Sequence, residues 1–149
     1  MVWGKAVILG VRLMQPSIDL GALKILIIDD QEFVRTIVKK MLLQIGIGSV
    51  VEAHDGTSGL DMAERERPDV VVCDVQMRPV DGFGFVEALR GQPHGRAMPV
   101  IMLTAHTDAA TIGKAKELEV NAFLAKPVLP PALKDKITLV MAEARKTAG

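Results

Sequence analysis

Short apolar runs alternate with longer stretches of helical spacing along this chain. "KILIID" (24–29) is the first run and ends in acids. "EFVRTIVKKMLLQI" (32–45) follows with helical period: Phe33, Ile37, Met41 and Ile45 form one row, with Val34, Val38 and Leu42 beside it. Gly46 and Gly48 predict its end. "SVVEA" (49–53) reads as a strand, and "GTSGLDMAERER" (56–67) as a helix stopped by Pro68. "VVVCD" (70–74) has the unbroken apolar character of a strand buried on both faces. "GFGFVEALR" (82–90) predicts a short helix, "QPHGRAM" (92–98) a loop, and "PVIMLT" (99–104) a strand. "DAATIGKAKELE" (108–119) predicts a helix with Asp108 as its N-cap. "AFLA" (122–125) is a short strand. "PPALKDKITLVMAEA" (130–144) predicts a last helix opened by two prolines, with Leu133, Ile137, Val140, Met141 and Ala144 on its apolar face.

Five strands alternating with five helices predict an α/β fold, a doubly wound parallel sheet covered on both faces. No internal repeat or low-complexity tract interrupts the pattern. The 149 residues suit one domain with a real core. Residues 1–22 read as an N-terminal extension, 23–146 as the folded unit and 147–149 as a tail. The extension resembles a signal peptide only superficially. Its apolar stretch Ala6–Val11 is short, Arg12 and Pro16 break it, and no small-x-small site follows. Met14 is a possible alternative start. Few residues remain after the fifth helix, so output by protein contact is expected rather than by an attached effector.

The 18 basic and 18 acidic residues cancel, which removes the electrostatic footprint expected of a nucleic-acid or anionic-membrane binder. Nor does any run approach the ~18 apolar residues of a membrane span. Cys73 is the one cysteine and lies inside the valine run, so no intrachain disulfide can form. A reducing, cytoplasmic setting is the expectation.

Ligands of an open parallel sheet bind beyond the carboxyl ends of its strands. Here the first strand ends in Asp29 and Asp30, the third in Asp74 and the fourth in Thr104, and Lys126 and Pro127 follow the fifth. Clustered carboxylates raise one another's pKa, and a divalent cation relieves that conflict. Oxygen donors without nearby cysteine or histidine favour Mg²⁺ over Zn²⁺. An ammonium at Lys126 and a hydroxyl at Thr104 suit phosphoryl oxygens, and a carboxylate can be the nucleophile that forms an aspartyl phosphate. Each residue alone has a plainer reading. Asp29 and Asp30 could cap a helix, Asp74 could simply end its strand, and Lys126 could be solvated. Thr104 could cap the next helix, and Phe123 could be ordinary core. His54, His94 and His106 are too scattered to predict a metal site. "GIGSVV" (46–51) lacks the third glycine of a dinucleotide fingerprint, and no Walker motif is present.

Asp29-Asp30, "DVQMRPVDG", "MLTA" and "FLAKP", in that order and spacing, resemble the response-regulator receiver domain, the stand-alone chemotaxis type in particular, over about residues 23–146. The resemblance implies a flavodoxin-like strand order of 2-1-3-4-5. It implies that Asp74 accepts a phosphoryl group from the phosphohistidine of a sensor histidine kinase or phosphotransfer protein. Asp30, Asp74 and the backbone carbonyl of Gln76 would hold Mg²⁺, with Asp29 acting through water. Lys126 would pair with the phosphoryl group, and Thr104 would move toward it. Phe123 would turn inward as Thr104 moves. Gln76 and His106 stand where the family tunes loss of the phosphoryl group. The implied target surface comprises the fourth helix, fifth strand and fifth helix; a monomer and a weak dimer both fit. Two departures stand out. Arg78 separates Met77 from Pro79, so the loop is expected to pass the site differently. Glu119 stands where glycine is common, which predicts a less sharply capped helix end.

Two other functions fit parts of the pattern. One is a receiver-fold scaffold that works without phosphorylation. The other is a haloacid-dehalogenase-type phosphatase with an aspartate nucleophile and Mg²⁺. That class carries an acid two residues past its nucleophile, and neither "DDQEF" nor "DVQMR" supplies one. No enzymatic activity is expected beyond autocatalytic phosphoryl acceptance and self-dephosphorylation.

Overall fold

The central strands are apolar on both faces because helices cover both sides of the sheet. In the computed structural model, which describes residues 18–148, every residue of β3 (Val70–Asp74) and β4 (Val100–Thr104) is buried. β1 (Lys24–Ile28) is buried from its second residue, whereas β2 (Ser49–Ala53) and β5 (Ala122–Ala125) are partly exposed. This gradient matches their places in the sheet. All pairings are parallel and the order is β2-β1-β3-β4-β5, with β2 and β5 at the edges.

Alternate strand residues point to opposite faces and split the core in two. Ile25, Ile27, Val70, Val72, Ile101 and Leu103 meet Val38 and Leu42 of α1 (Glu32–Gln44) and Leu133 and Ile137 of α5 (Pro130–Ala148). Leu26, Ile28, Val71, Cys73 and Met102 meet Ala63 of α2 (Gly56–Glu66) and Phe85 and Leu89 of α3 (Gly82–Arg90). α4 (Ala109–Glu117) is held more lightly and buries only Ala115.

The element order is the one the alternation predicts, with corrections in detail. The row through Phe33, Ile37, Met41 and Ile45 is not a uniform buried face. A row of every fourth residue drifts about 40° around a helix per step. It starts in water, with Phe33 76% exposed, and reaches the core only at Met41 and Ile45. The loop over 92–98 contains a 3₁₀ turn, Pro93–Gly95. Neither Asp29 nor Asp30 caps α1, whose N-cap is Gln31, while Asp108 caps α4 by accepting from the Thr111 N–H. Packing begins earlier than residue 23. Ile18 and Leu20 lie against the α1–α5 core, and Leu20–Ala22 forms a 3₁₀ turn. Ala6–Val11 and Met14 lie outside the described residues.

The end of α4 is capped in full despite Glu119. Its φ of +58° is the left-handed conformation. The Glu119 N–H donates to the Lys116 carbonyl at 3.1 Å and the Val120 N–H to the Ala115 carbonyl at 2.9 Å, the paired bonds of a Schellman cap. Arg90 adds a further tie, with Nη2 donating to the Glu119 carbonyl at 2.9 Å.

Candidate functional site

β1 neighbours β3, and β3 and β5 flank β4, so the residues that end these strands gather on one rim. Asp29 follows β1 directly. Its N–H donates to the Ala53 carbonyl at 3.2 Å, and its Oδ1 accepts from the Gln31 N–H at 2.9 Å. Asp74 is the last residue of β3, opposite Leu103 of β4. Gly82 presses on this point from the far side of the following loop. Its N–H donates to the Val75 carbonyl at 2.8 Å, and a Cβ there would lie 2.4 Å from the Asp74 carbonyl oxygen. Only glycine fits such a close approach of backbone to backbone. Within this loop the Arg78–Pro79 peptide is cis, as is Lys126–Pro127.

The three acids converge. One carboxylate oxygen from each of Asp29, Asp30 and Asp74 lies within 4.8 Å of the others. Asp29 and Asp74 are buried and Asp30 is exposed. Lys126, just past β5, places Nζ 2.9 Å from Asp74 Oδ1 and 3.9 Å from Asp29 Oδ2. Those same two buried oxygens accept no hydrogen bond of good geometry, so Lys126 meets Asp74 as an ion pair. Burial pushes the Asp29 carboxyl above its ordinary range. The Gln31 N–H and the Lys126 charge oppose that rise, while Asp74 and Asp30 add to it. A hard divalent cation fits this donor set, with all-oxygen ligands, the Asp30 side open to water and two buried carboxylate oxygens that accept no hydrogen bond.

Thr104 is fully buried, and its hydroxyl is already engaged. It accepts from the His106 N–H at 2.9 Å and donates to the His106 carbonyl at 3.1 Å. It therefore holds the β4–α4 loop and does not cap α4. The β4 and β5 ends are tied where the Lys126 N–H donates to the Thr104 carbonyl at 2.8 Å. Gln76, two residues past Asp74, and His106 are both exposed at the rim. Phe123 is half-buried, pairs in register with Met102 and packs against the α2–α3 core.

Two residues at the site were not legible as such in the sequence. Arg35 of α1 donates from Nη1 to the Asp29 carbonyl at 2.7 Å, and from Nε to Glu52 of β2 at 3.2 Å. The one available signal was a glutamate inside the otherwise apolar run "SVVEA".

Fold and site together define a doubly wound α/β protein with a lysine-paired acidic rim at the carboxyl ends of its strands. The family described as response regulator receiver domain matches residues 25–138, and the chain belongs to that family. It is 34% identical over 118 residues to a probable chemotaxis protein CheY of Rhizobium etli, covering 79% of this chain and 92% of that one. Against the chemotaxis protein CheY of Pseudomonas aeruginosa it is 35% identical, covering 77% and 93%. A probable transcriptional regulator, ycf27 of Guillardia theta, is 36% identical over 84% of this chain, which spans only 48% of that protein. Among solved structures, CheY4 of Vibrio cholerae superposes with a TM-score of 0.75 at 33% identity, over 79% of this chain and 98% of that one. The receiver domain of sensor histidine kinase PA1611 from Pseudomonas aeruginosa, described with a magnesium ion coordinated in its active-site cleft, gives 0.74 at 28%, over 80% and 98%. The chain is thus a CheY-like receiver domain of two-component signalling. No helix among the described residues is long and apolar enough to cross a membrane.

Proposed function

We propose that this receiver domain, taken as residues 23–146, is a phosphorylatable switch whose acceptor is Asp74. The observation that carries the reading is the buried Asp74 carboxylate, 2.9 Å from Lys126 and grouped with two further acids. In the transfer, an Asp74 oxygen attacks the phosphorus of a kinase or phosphotransfer-protein phosphohistidine. The P–N bond breaks, an acyl phosphate forms, and the imidazole leaves. Asp29, Asp30, Asp74 and the Gln76 carbonyl would hold Mg²⁺, which supplies positive charge against the phosphoryl oxygens. Lys126 neutralises one of those oxygens from the β5 side.

Thr104 then exchanges its two bonds to His106 for one to the phosphoryl group, which releases the β4–α4 loop. Phe123, half-buried against the α2–α3 core, follows inward. The light packing of α4 makes this end of the molecule the part most readily remodelled. The α4–β5–α5 surface is then the one a target protein reads, in a cytoplasmic setting. Gln76 and His106 flank the acyl phosphate and set its lifetime.

The test is reduction of the phosphorylated protein with borohydride, which converts an aspartyl phosphate to homoserine, followed by peptide mapping. Homoserine at position 74 is expected. Homoserine at another position, or phosphate release without any trapped residue, contradicts the assignment.

A further inference from the structure

Asp29 lies one residue beyond the end of β1, where the ladder to β2 stops. Its carbonyl accepts from Arg35 Nη1 at 2.7 Å. The Arg35 side chain is only 15% exposed, and its Nε donates to Glu52 Oε1 at 3.2 Å. Lys39 adds a longer contact to the other Glu52 oxygen, at 3.6 Å. Arg35 thus bridges the end of β1 to the adjacent strand.

The peptide plane matters here. The carbonyl of Asp29 and the N–H of Asp30 share one rigid plane. Clamping the carbonyl fixes the direction in which the chain leaves Asp29 for Asp30. Asp29 is then held at its N–H by Ala53, at Oδ1 by Gln31 and at its carbonyl by Arg35. Its Oδ2 is left 3.9 Å from Lys126 Nζ, and one carboxylate oxygen of Asp29 lies within 4.8 Å of one from Asp30 and one from Asp74.

We propose that Arg35, braced by Glu52, is a positioning residue that sets the spacing of Asp29 and Asp30 for a divalent cation. The proposal rests on the metal-site reading above. Glu52 has a second effect. It offsets part of the charge of Arg35 and Lys39, which share it, while the rim itself carries three carboxylates against one ammonium, a net of two negative charges. That balance matches a divalent ion.

The test is calorimetric titration of the full chain with MgCl₂ alone, with melting curves and amide NMR spectra to verify folding. Loss of a residue that orients metal ligands typically weakens binding by about 10- to 100-fold, and Arg35→Ala is expected at the low end of that range. Arg35→Lys restores a donor to the carbonyl and is expected to recover most of the affinity. Glu52→Gln leaves an acceptor but uncovers the Arg35 charge, and is expected to weaken binding a few-fold, more so at low salt. Wild-type affinity in folded Arg35→Ala overturns the proposal, as does an Arg35→Lys protein no better than Arg35→Ala. Should Arg35→Ala fail to fold, unchanged affinity in Glu52→Gln overturns it. Wild-type protein that binds no Mg²⁺, or whose binding survives Asp30→Asn and Asp74→Asn, overturns the metal-site reading and the role of Arg35 with it. Binding lost in Asp74→Asn but unchanged in Arg35→Ala overturns the role of Arg35 alone.

Discussion

The ammonium of Lys126 stands 2.9 Å from Asp74 Oδ1, the closest charge pairing at the rim. Each group limits the other's cost of burial. The Asp74 side chain is 6% exposed and that of Lys126 29%, so the pair is shielded on the acid side and open on the lysine side.

Lys126→Ala leaves two buried carboxylates without their cation. Stripping one partner from a fully buried pair costs about 3–5 kcal/mol. Water reaches this pair from the lysine side, so a loss of about 1–2 kcal/mol is expected. Urea denaturation in chelator-containing buffer measures it, and added Mg²⁺ is expected to recover much of the loss.

Asp29 predicts a pH dependence. Burial raises its folded-state pKa above the ordinary value of 3.8. The folded protein therefore binds more protons than the unfolded chain between those two values. The associated stability is fully present below the ordinary value and is lost as pH rises through the raised one. Asp29→Asn retains an acceptor for the Gln31 N–H and removes the buried charge. In metal-free buffer it is expected to melt above wild type at pH 7, with the gap closing as pH falls below 3.8. Melting curves across that range decide it. A gap that is constant with pH contradicts burial of the Asp29 charge as the cause.

Gly82→Ala is expected to disturb Asp74 from behind. The added carbon meets backbone, which cannot swing aside as a side chain can. Overpacking of this kind costs about 1–3 kcal/mol. Denaturation gives the stability, and the rate of Asp74 labelling by a small phosphodonor reads the site. Both are expected to fall.

Glu119→Gly is expected to stabilise the protein. A non-glycine residue in the left-handed region costs about 1–2 kcal/mol, and glycine's greater freedom in the unfolded chain returns part of that. A net gain of about 0.5–1 kcal/mol follows from those terms, and urea denaturation of the two proteins side by side measures it. The Arg90 bond to the Glu119 carbonyl is backbone-directed and survives the change.

Much of this was legible in the chain because strand and helix periods depend on local sequence. The apolar continuity of 70–74 marked a central strand, and the residues ending each strand marked the rim. What failed depended on how elements meet. Phe33 and Ile37 belong to an apolar row that begins beyond the sheet's reach. Glu119 takes a conformation that its side chain disfavours because the Schellman bonds and Arg90 hold it there. Thr104 has a local partner, His106, that spacing alone does not select. Arg35 and Glu52 are 17 residues apart, and they meet only because β2 lies beside β1.

The central claim is tested most directly by intact mass after incubation with acetyl phosphate, with and without Mg²⁺, for wild type and Asp74→Asn. One added phosphoryl group that requires both Mg²⁺ and Asp74 is predicted. An adduct that persists in Asp74→Asn, or a wild-type protein that gains no phosphoryl group and releases no phosphate, contradicts the phosphorylation switch; the latter points instead to a scaffold that keeps the receiver fold without its chemistry.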